Sequence, residues 1–592
     1  MKTCVAVVST GGDMAQVAQQ GVRVVSRVYG GMVSVDDEQR AQRVVALLDQ
    51  ARAALARSST QCSQLAFTAT GAQSRMAWCA ANNTSALGAP TTVSSASGVG
   101  AASADTGLGG AFNGAVGALS ALNASMAASA GSQHATLPAD IAGQASAVST
   151  NLASLAQECE TLASLLSRAY SLYAQAESSA RRLGTQAAQQ ITAATPWQIG
   201  ASTLLSAGGG LLYGLVKEGH VNAFHALNGT TWMQEGTLNG LSGWVNMLAG
   251  ATGMSAVGTN AGVDQRIGGA QARKSTAVAN AAANLSQFLQ PWHNYAQGTD
   301  LTVTQVGRHA QVVGATTSVS GALSNLRRLG ENRSESGLTT SDDTALSYGT
   351  IAISQYVRDD GTNAWLVSIP GTDGKDDSPF GWPQNVELMS SNSEQRMNAE
   401  SARMVVEAMR QAGIKSDEPV AMVGHSQGGI VAAAIASDCA DEFTIDHIVT
   451  AGSPIANHPI ASSTWVTAIE MDDELVAALD GKANPSTDTW LTVRGSLDEG
   501  ALDQANALNS GTGVERDPNR YEITHWLKYH ESAYEDASAL GSPAVQTHEQ
   551  HFANTIDGTY QGTTYWQGRV TKDHADSVFT AIVPQPRAAL AR

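Results

Sequence analysis

Gly424-His425-Ser426-Gln427-Gly428 sets one serine between two glycines, with Val420-Ala421-Met422-Val423 before it and Ile430-Val431-Ala432-Ala433-Ala434-Ile435-Ala436 after it. The leading residues are strand formers and the trailing ones suit a buried helix, so the run reads strand, sharp turn, helix. A serine at such a turn is held in strained backbone geometry, with its hydroxyl pushed out above the sheet. Glycines on either side let strand and helix approach without side-chain clashes. The chemistry that suits this arrangement is nucleophilic attack by Ser426 on an acyl carbonyl. A serine hydroxyl is a weak nucleophile at its own pKa, so it needs a base within hydrogen-bond reach, oriented by an acid. The oxyanion that forms needs preorganised donors. His425 adjoins the serine, but adjacent side chains at such a turn diverge, which makes it a pocket wall rather than the base.

The elements that must position these groups follow from residue 340 onward. Residues 349–358 read as a strand, Asp359-Asp360-Gly361 as a turn and 363–369 as the paired strand, which runs into Pro370-Gly371-Thr372. Residues 394–412 read as a helix ended by Gly413. Further strands are read at 445–450, 465–470 and 489–494, and 563–570 reads as a late edge strand. This alternation predicts an α/β fold: a mostly parallel sheet flanked by helices, with an α-helical bundle domain before it.

Three segments together carry a resemblance: Ile369-Pro370-Gly371-Thr372, then 418–429 around the serine, then Val449-Thr450-Ala451-Gly452-Ser453-Pro454. Over roughly residues 340–585 the chain resembles actinobacterial α/β-hydrolases related to the class 3 lipases. The resemblance implies a lipase- or esterase-type Ser/His/Asp triad, working on a carboxylic ester through an acyl-enzyme, with no metal and no cofactor. Ser426 is then the nucleophile. The oxyanion donors are the backbone N–H of Gln427, the residue after the nucleophile, and Thr372, which stands where similar lipases carry a small polar residue. Triads of this type run Ser, acid, His along the chain. Met471-Asp472-Asp473-Glu474 follows a strand beyond the serine, and Asp473 is the first choice, with Glu474 and Asp472 as alternatives. The Val-Pro step that usually follows the family's acid is missing here. For the base, a histidine followed four or five residues later by an aromatic fits His530, His525 and His548, with His530 preferred. A thioesterase or acyltransferase would share the same triad.

The remaining chain bounds the setting. Its 592 residues exceed one core and predict several domains: a helical bundle over 1–195, a Gly/Ala-rich connecting region and linker over 196–335, and the catalytic domain over 336–592. The formal net charge of −18 lies mainly in the last of these and argues against nucleic-acid partners. Five cysteines show no metal-ligand spacing, and one bridge among the first four is left open. The apolar run Val5-Ala6-Val7-Val8 is too short for a Sec signal. Residues 36–85 and 138–183 carry helical periodicity, the second as a stripe through Ile141, Ala145, Val148, Leu152, Leu155 and Leu162. Near its end, Tyr173-Ala174-Gln175-Ala176-Glu177 is similar to the export signal of type VII (Esx-type) secretion substrates, although the family's W-x-G between helices is missing. That resemblance implies a secreted or cell-surface protein exported by a non-Sec route, with the secretion machinery or a small helical protein as partner; otherwise the expectation is cytoplasmic. The alternative to an enzyme is a secreted helical or membrane-active protein that carries the hydrolase as payload. Residues 199–216 are uncharged and just long enough to reach a membrane, though their glycines favour a buried helix.

Overall fold

Val420, Ala421, Met422 and Val423 are apolar at four consecutive positions, and all four are fully buried. A strand of that texture is covered on both faces. The computed structural model describes residues 22–31, 35–81, 137–169, 242, 245–249, 266–267, 270–271, 277–306, 312–331, 333–334, 346–472, 474–481, 483–498, 512–515 and 523–571. They build a ten-stranded sheet from β1 (Val22–Gly30), β2 (Asp300–Val306), β3 (Thr350–Val357), β4 (Asn363–Ile369), β5 (Pro419–His425), β6 (Thr444–Ala451), β7 (Trp465–Met471), β8 (Trp490–Asp498), β9 (Thr512–Val514) and β10 (Thr559–Thr571). The spatial order is β9-β1-β8-β7-β6-β5-β4-β3-β10-β2. β4 to β8 are mutually parallel and lie in chain order. The flanking pairs are antiparallel.

Strand alternation distributes the core to two helical layers. Val367, Ile369, Val420, Met422, Ile448 and Val466 pack with α7 (Glu400–Ala412) and α8 (Gln427–Asp438). Leu366, Ala421, Val423, Val449, Ile469 and Met471 pack with α4 (Val319–Glu331), α9 (Leu527–Ala539) and α10 (Pro543–Thr555). α7 buries Met404, Val405, Ala408 and Met409 and stops at Gly413, whose φ of 84° is the left-handed cap expected for a terminal glycine. Before α7 come α5 (Trp382–Leu388) and α6 (Ser393–Asn398), and α3 (Ala277–Gln297) packs on α5.

The sheet is not confined to 336–592. β1 comes from the segment expected to be a helical bundle, and it runs antiparallel to β8 with Arg23 opposite Asp498. Its buried Val22, Val24, Ser26 and Val28 alternate with less buried residues, a period of two inside a helix-rich region. Asp536 of α9 holds it, accepting from Ser26 N at 2.7 Å and Ser26 Oγ at 2.6 Å and pairing with Arg168. β2 and α4 come from the segment read as connector and linker. The charges that suggested a linker sit on one side of an amphipathic helix: Leu323, Leu326 and Leu329 are buried, while Arg327 reaches Glu531 at 2.6 Å. β10 is not an edge strand, because β2 pairs along its outer side.

Residues 43–164 form a separate unit. It contains most of α1 (Val35–Ala81) and α2 (Leu137–Ala169). The two helices meet where Ser63 Oγ and Ser149 Oγ lie 2.7 Å apart and Ser59 Oγ donates to Ser149 O at 2.9 Å. Cys62, Ala145, Leu152 and Ala156 are buried, whereas Leu155 and Leu162 of the expected stripe are exposed. Small residues together with Leu152, not a continuous leucine stripe, are buried here. Cys62, Cys159 and Cys439 are free thiols. Among the described residues no helix is long and apolar enough to cross a membrane. Residues 199–216 and the Tyr173–Glu177 segment lie outside the described residues.

Candidate active site

Because β4 to β7 run parallel, their carboxyl ends deliver four loops to one edge of the sheet, the edge where open α/β sheets bind ligands. Ser426 stands at the end of β5, with φ 53° and ψ −121°. It is the only non-glycine residue with positive φ among the described residues, a conformation that costs on the order of 1–3 kcal/mol. The surroundings hold it there. Ser426 N donates to Ala451 O at 2.8 Å, and Ser453 Oγ donates to Ser426 O at 2.8 Å. The glycines are steric necessities: a methyl at Gly424 would lie 2.4 Å from Gly428 O, one at Gly428 2.0 Å from Ile369 O, and one at Gly429 2.1 Å from Ser453 Oγ.

His525 Nε2 lies 2.9 Å from Ser426 Oγ, and its Nδ1 hydrogen-bonds Glu474 Oε1. The other carboxylate oxygen, Oε2, is 2.8 Å from His530 Nε2. Glu474 is thus a buried carboxylate clasped by two imidazoles. Burial alone would raise its pKa; His530 and then His525 more than offset that and hold the carboxyl well below the usual range. The arrangement fixes the His525 tautomer: Nδ1–H donates to Glu474, which leaves the Nε2 lone pair facing the serine hydroxyl. Gly452, at φ 59°, makes room for this, since a methyl there would lie 2.4 Å from Glu474 Oε1 and 2.9 Å from His525 Nδ1. His425 donates from Nε2 to the His525 carbonyl at 2.8 Å, with its ring 4.8 Å from the His525 ring. Burial, then His525 and His530, keep its pKa well below the usual imidazole value. It is a neutral brace under the His525 turn.

Pro370-Gly371-Thr372 approaches the serine from β4. A methyl on Gly371 would lie 3.0 Å from Ser426 Cβ. Thr372 Oγ1 accepts from Asn385 Nδ2 of α5 at 3.1 Å. Gln427 opens α8, so its backbone N–H has no intrahelical acceptor. Its buried side chain donates from Nε2 to Gly381 O at 2.8 Å.

The structure brings together Ser426, His525 and Glu474, with Gln427 and Thr372 beside them. Of the residues preferred from sequence, His530 reaches Glu474 but is not the histidine at the serine, and Asp473 lies outside the described residues. Asp472 is 3.8 Å from both Arg27 Nη1 and Arg494 Nη1. His548 sits in the core, with Nδ1 3.2 Å from Thr467 Oγ1 and Nε2 donating to Asp488 O at 3.2 Å. Asp480 accepts from Ala456 N at 2.8 Å and braces a loop. One signal separated the two histidines. His525 lies in the turn before α9 begins at Leu527, free to project over the sheet edge, whereas His530 is already inside the helix.

A family model described as a PGAP1-like alpha/beta domain matches residues 387–492, which hold β5 to β7, the Ser426 turn and Glu474. With the observed architecture, this match makes residues around Ser426 part of an α/β-hydrolase-type domain. No curated protein and no solved structure matches the chain.

Proposed function

We propose that the chain is a serine hydrolase of carboxylic esters with lipid-like acyl groups, in which Ser426 is the nucleophile, His525 the base and Glu474 the acid. The observation that carries this reading is the unbroken hydrogen-bonded line from Glu474 through His525 to Ser426 Oγ. His525 Nε2 takes the proton as Oγ attacks the carbonyl carbon, and the Glu474 carboxylate stabilises the imidazolium that forms. The oxyanion is received by the N–H of Gln427 and by Thr372. His525 then protonates the departing alkoxide, and water, deprotonated by the same nitrogen, cleaves the acyl-enzyme. The base is therefore His525 and not His530, and the acid is Glu474, one of the alternatives to Asp473. Exposed apolar side chains favour an apolar acyl chain: Trp382 opens α5 beside the Thr372 loop, Leu475 follows Glu474, and Ile523 and Trp526 flank the His525 turn. The class 3 lipase resemblance points the same way. Export by a non-Sec route rests on Tyr173–Glu177 and agrees with the helical pair of residues 43–164.

The experiment is covalent labelling with a fluorophosphonate probe together with turnover of p-nitrophenyl esters of increasing chain length. The expected result is labelling of the wild type, none of Ser426→Ala, and turnover that rises from acetate to longer acyl chains. Ester turnover that survives in a folded Ser426→Ala protein would falsify the assignment, and a flat chain-length profile removes the lipid-like substrate.

A further inference from the structure

His293 of α3, Glu387 of α5 and Glu400 of α7 come from three helices and converge in the interior. All three are buried, and one ligand atom from each lies within 4.8 Å of the others. His293 Nδ1 is 3.2 Å from Glu387 Oε1, and His293 Nε2 is 3.8 Å from Glu400 Oε2. Two more polar groups complete the cluster. Gln297 Oε1 is 2.7 Å from His293 Nε2, and Gln384 Nε2 is 3.0 Å from each of His293 Nε2, Gln297 Oε1 and Glu400 Oε2.

An ordinary hydrogen-bonded network accounts poorly for this. The Gln384 amide nitrogen gives its two protons to Gln297 Oε1 and Glu400 Oε2, which sets it against the His293 ring nitrogen as well. Meanwhile Gln384 Oε1, on a fully buried side chain, has no partner at all, a costly state for a buried carbonyl. Amide nitrogen and oxygen are exchanged by a half-turn of the side chain. Turned that way, Gln384 presents its oxygen to the oxygens of Gln297 and Glu400, and three such oxygens around one imidazole are an arrangement a cation would stabilise. We propose that His293, Glu387 and Glu400, with the Gln384 amide oxygen as fourth ligand, hold one divalent transition-metal ion. One imidazole with oxygen donors and no thiolate suits zinc, and the ligand atoms, which lie within 4.8 Å of one another, would close by side-chain rotation onto bonds of about 2.0–2.2 Å. The ion's two charges would match the two carboxylates.

The role is structural. α5 carries two of these ligands, and its Asn385 donates to Thr372 Oγ1, while Gly381, just before α5, accepts from the Gln427 side chain. An ion clamping α5 to α3 and α7 fixes the supports of both residues expected to receive the oxyanion. That last step rests on the hydrolase reading; ion binding does not.

The test uses the full chain carrying Ser426→Ala, so that metal binding is read without turnover. Protein stripped with a chelator is titrated calorimetrically with Zn2+, and with Mn2+ and Ca2+ as comparisons, and the melting temperature is followed with and without Zn2+. The expected result is one Zn2+ per chain, a higher melting temperature with Zn2+, and at least tenfold weaker binding in Glu387→Gln and in Glu400→Gln, each checked for retained helical circular dichroism. His293→Gln provides a third variant should either of these fail to fold. A stripped chain that takes up no Zn2+ and melts unchanged overturns the proposal, leaving a network closed by protons. Undiminished binding in the folded variants, or a preference for Ca2+, overturns it equally.

Discussion

His530 Nε2 meets Glu474 Oε2 at 2.8 Å, on the carboxylate oxygen that His525 leaves unused. The second imidazole holds and aims the acid without touching the serine. His530→Ala should therefore lower kcat by about tenfold with KM little changed, and cost about 1–3 kcal/mol of stability by leaving a buried acceptor short of a partner. His525→Ala should lower kcat by about 10⁴-fold or more while the fold persists. Steady-state kinetics and melting temperatures of the two variants separate the roles; equal losses of kcat would contradict them.

Glu474→Gln keeps the shape and removes the charge. The amide can no longer fix the His525 tautomer, and kcat should fall by about 10³–10⁴-fold. The wild-type carboxyl is held below its ordinary value by the two histidines. A group depressed in this sense stabilises the fold above its unfolded pKa, about 4.3, and loses that contribution only as pH falls through the folded value. Glu474 should thus remain ionised in moderate acid, and its contribution to stability should fade only in strong acid. A Glu474→Gln protein whose stability between pH 7 and 5 departs from a parallel course to the wild type would count against this.

Acid sensitivity nearer neutrality should come from the buried histidines. Burial pushes His548 down to about 4, and His447 is also held well below the usual imidazole value. The unfolded chain, with imidazole pKa about 6.5, binds protons that the fold refuses, so stability falls as pH drops from about 6.5 towards 4. For His548 the loss across that window is on the order of 3 kcal/mol. His548→Gln should flatten the dependence of melting temperature on pH between 7 and 4.5; an unchanged slope would rule this origin out.

Gly428 and Gly361 offer a steric contrast. A methyl at Gly428 would meet Ile369 O at 2.0 Å, whereas nothing lies within 4 Å of one at Gly361, where φ is 81°. Gly361→Ala should cost about 1–2 kcal/mol of backbone strain. Gly428→Ala must move the β4 backbone or the start of α8, and should cost more than about 3 kcal/mol or prevent folding. Chemical denaturation of the two proteins compares them directly.

Thr372 is the remaining test of the site. Its Oγ1 accepts from Asn385, so the hydroxyl proton is free to point towards an oxyanion. Thr372→Ala should reduce kcat by about 10²-fold and Thr372→Ser by much less. Equal kinetics for wild type and Thr372→Ala would restrict the contribution to the backbone N–H.

The parallel sheet and Ser426 were legible because their signals are local: consecutive apolar strand residues, and glycines at fixed offsets from the serine. The partners of Ser426 were legible only as regions. Glu474 shares a short acidic loop with Asp472, and only three-dimensional packing shows Asp472 lying near Arg27 and Arg494 and Glu474 against two imidazoles. His525 and His530 share the same spacing to an aromatic, and the start of α9 at Leu527 divides them. β1 was hidden for another reason. Its two-residue period is short, and the residues it pairs with lie at the far end of the sequence.

That last pairing sets an order of events during synthesis. Arg23 and Asp498 face each other across nearly the whole chain, so β1 emerges from the ribosome long before its neighbour exists. At roughly 5–20 residues per second, the wait is roughly half a minute to a minute and a half. Through that interval β1 has no native mate, and joining it to β8 and β9 closes the longest loops in the sheet. The nascent polypeptide therefore carries an early strand without its partners until late ones arrive, and the β1 side of the sheet is completed only after residues 490–514 have been made.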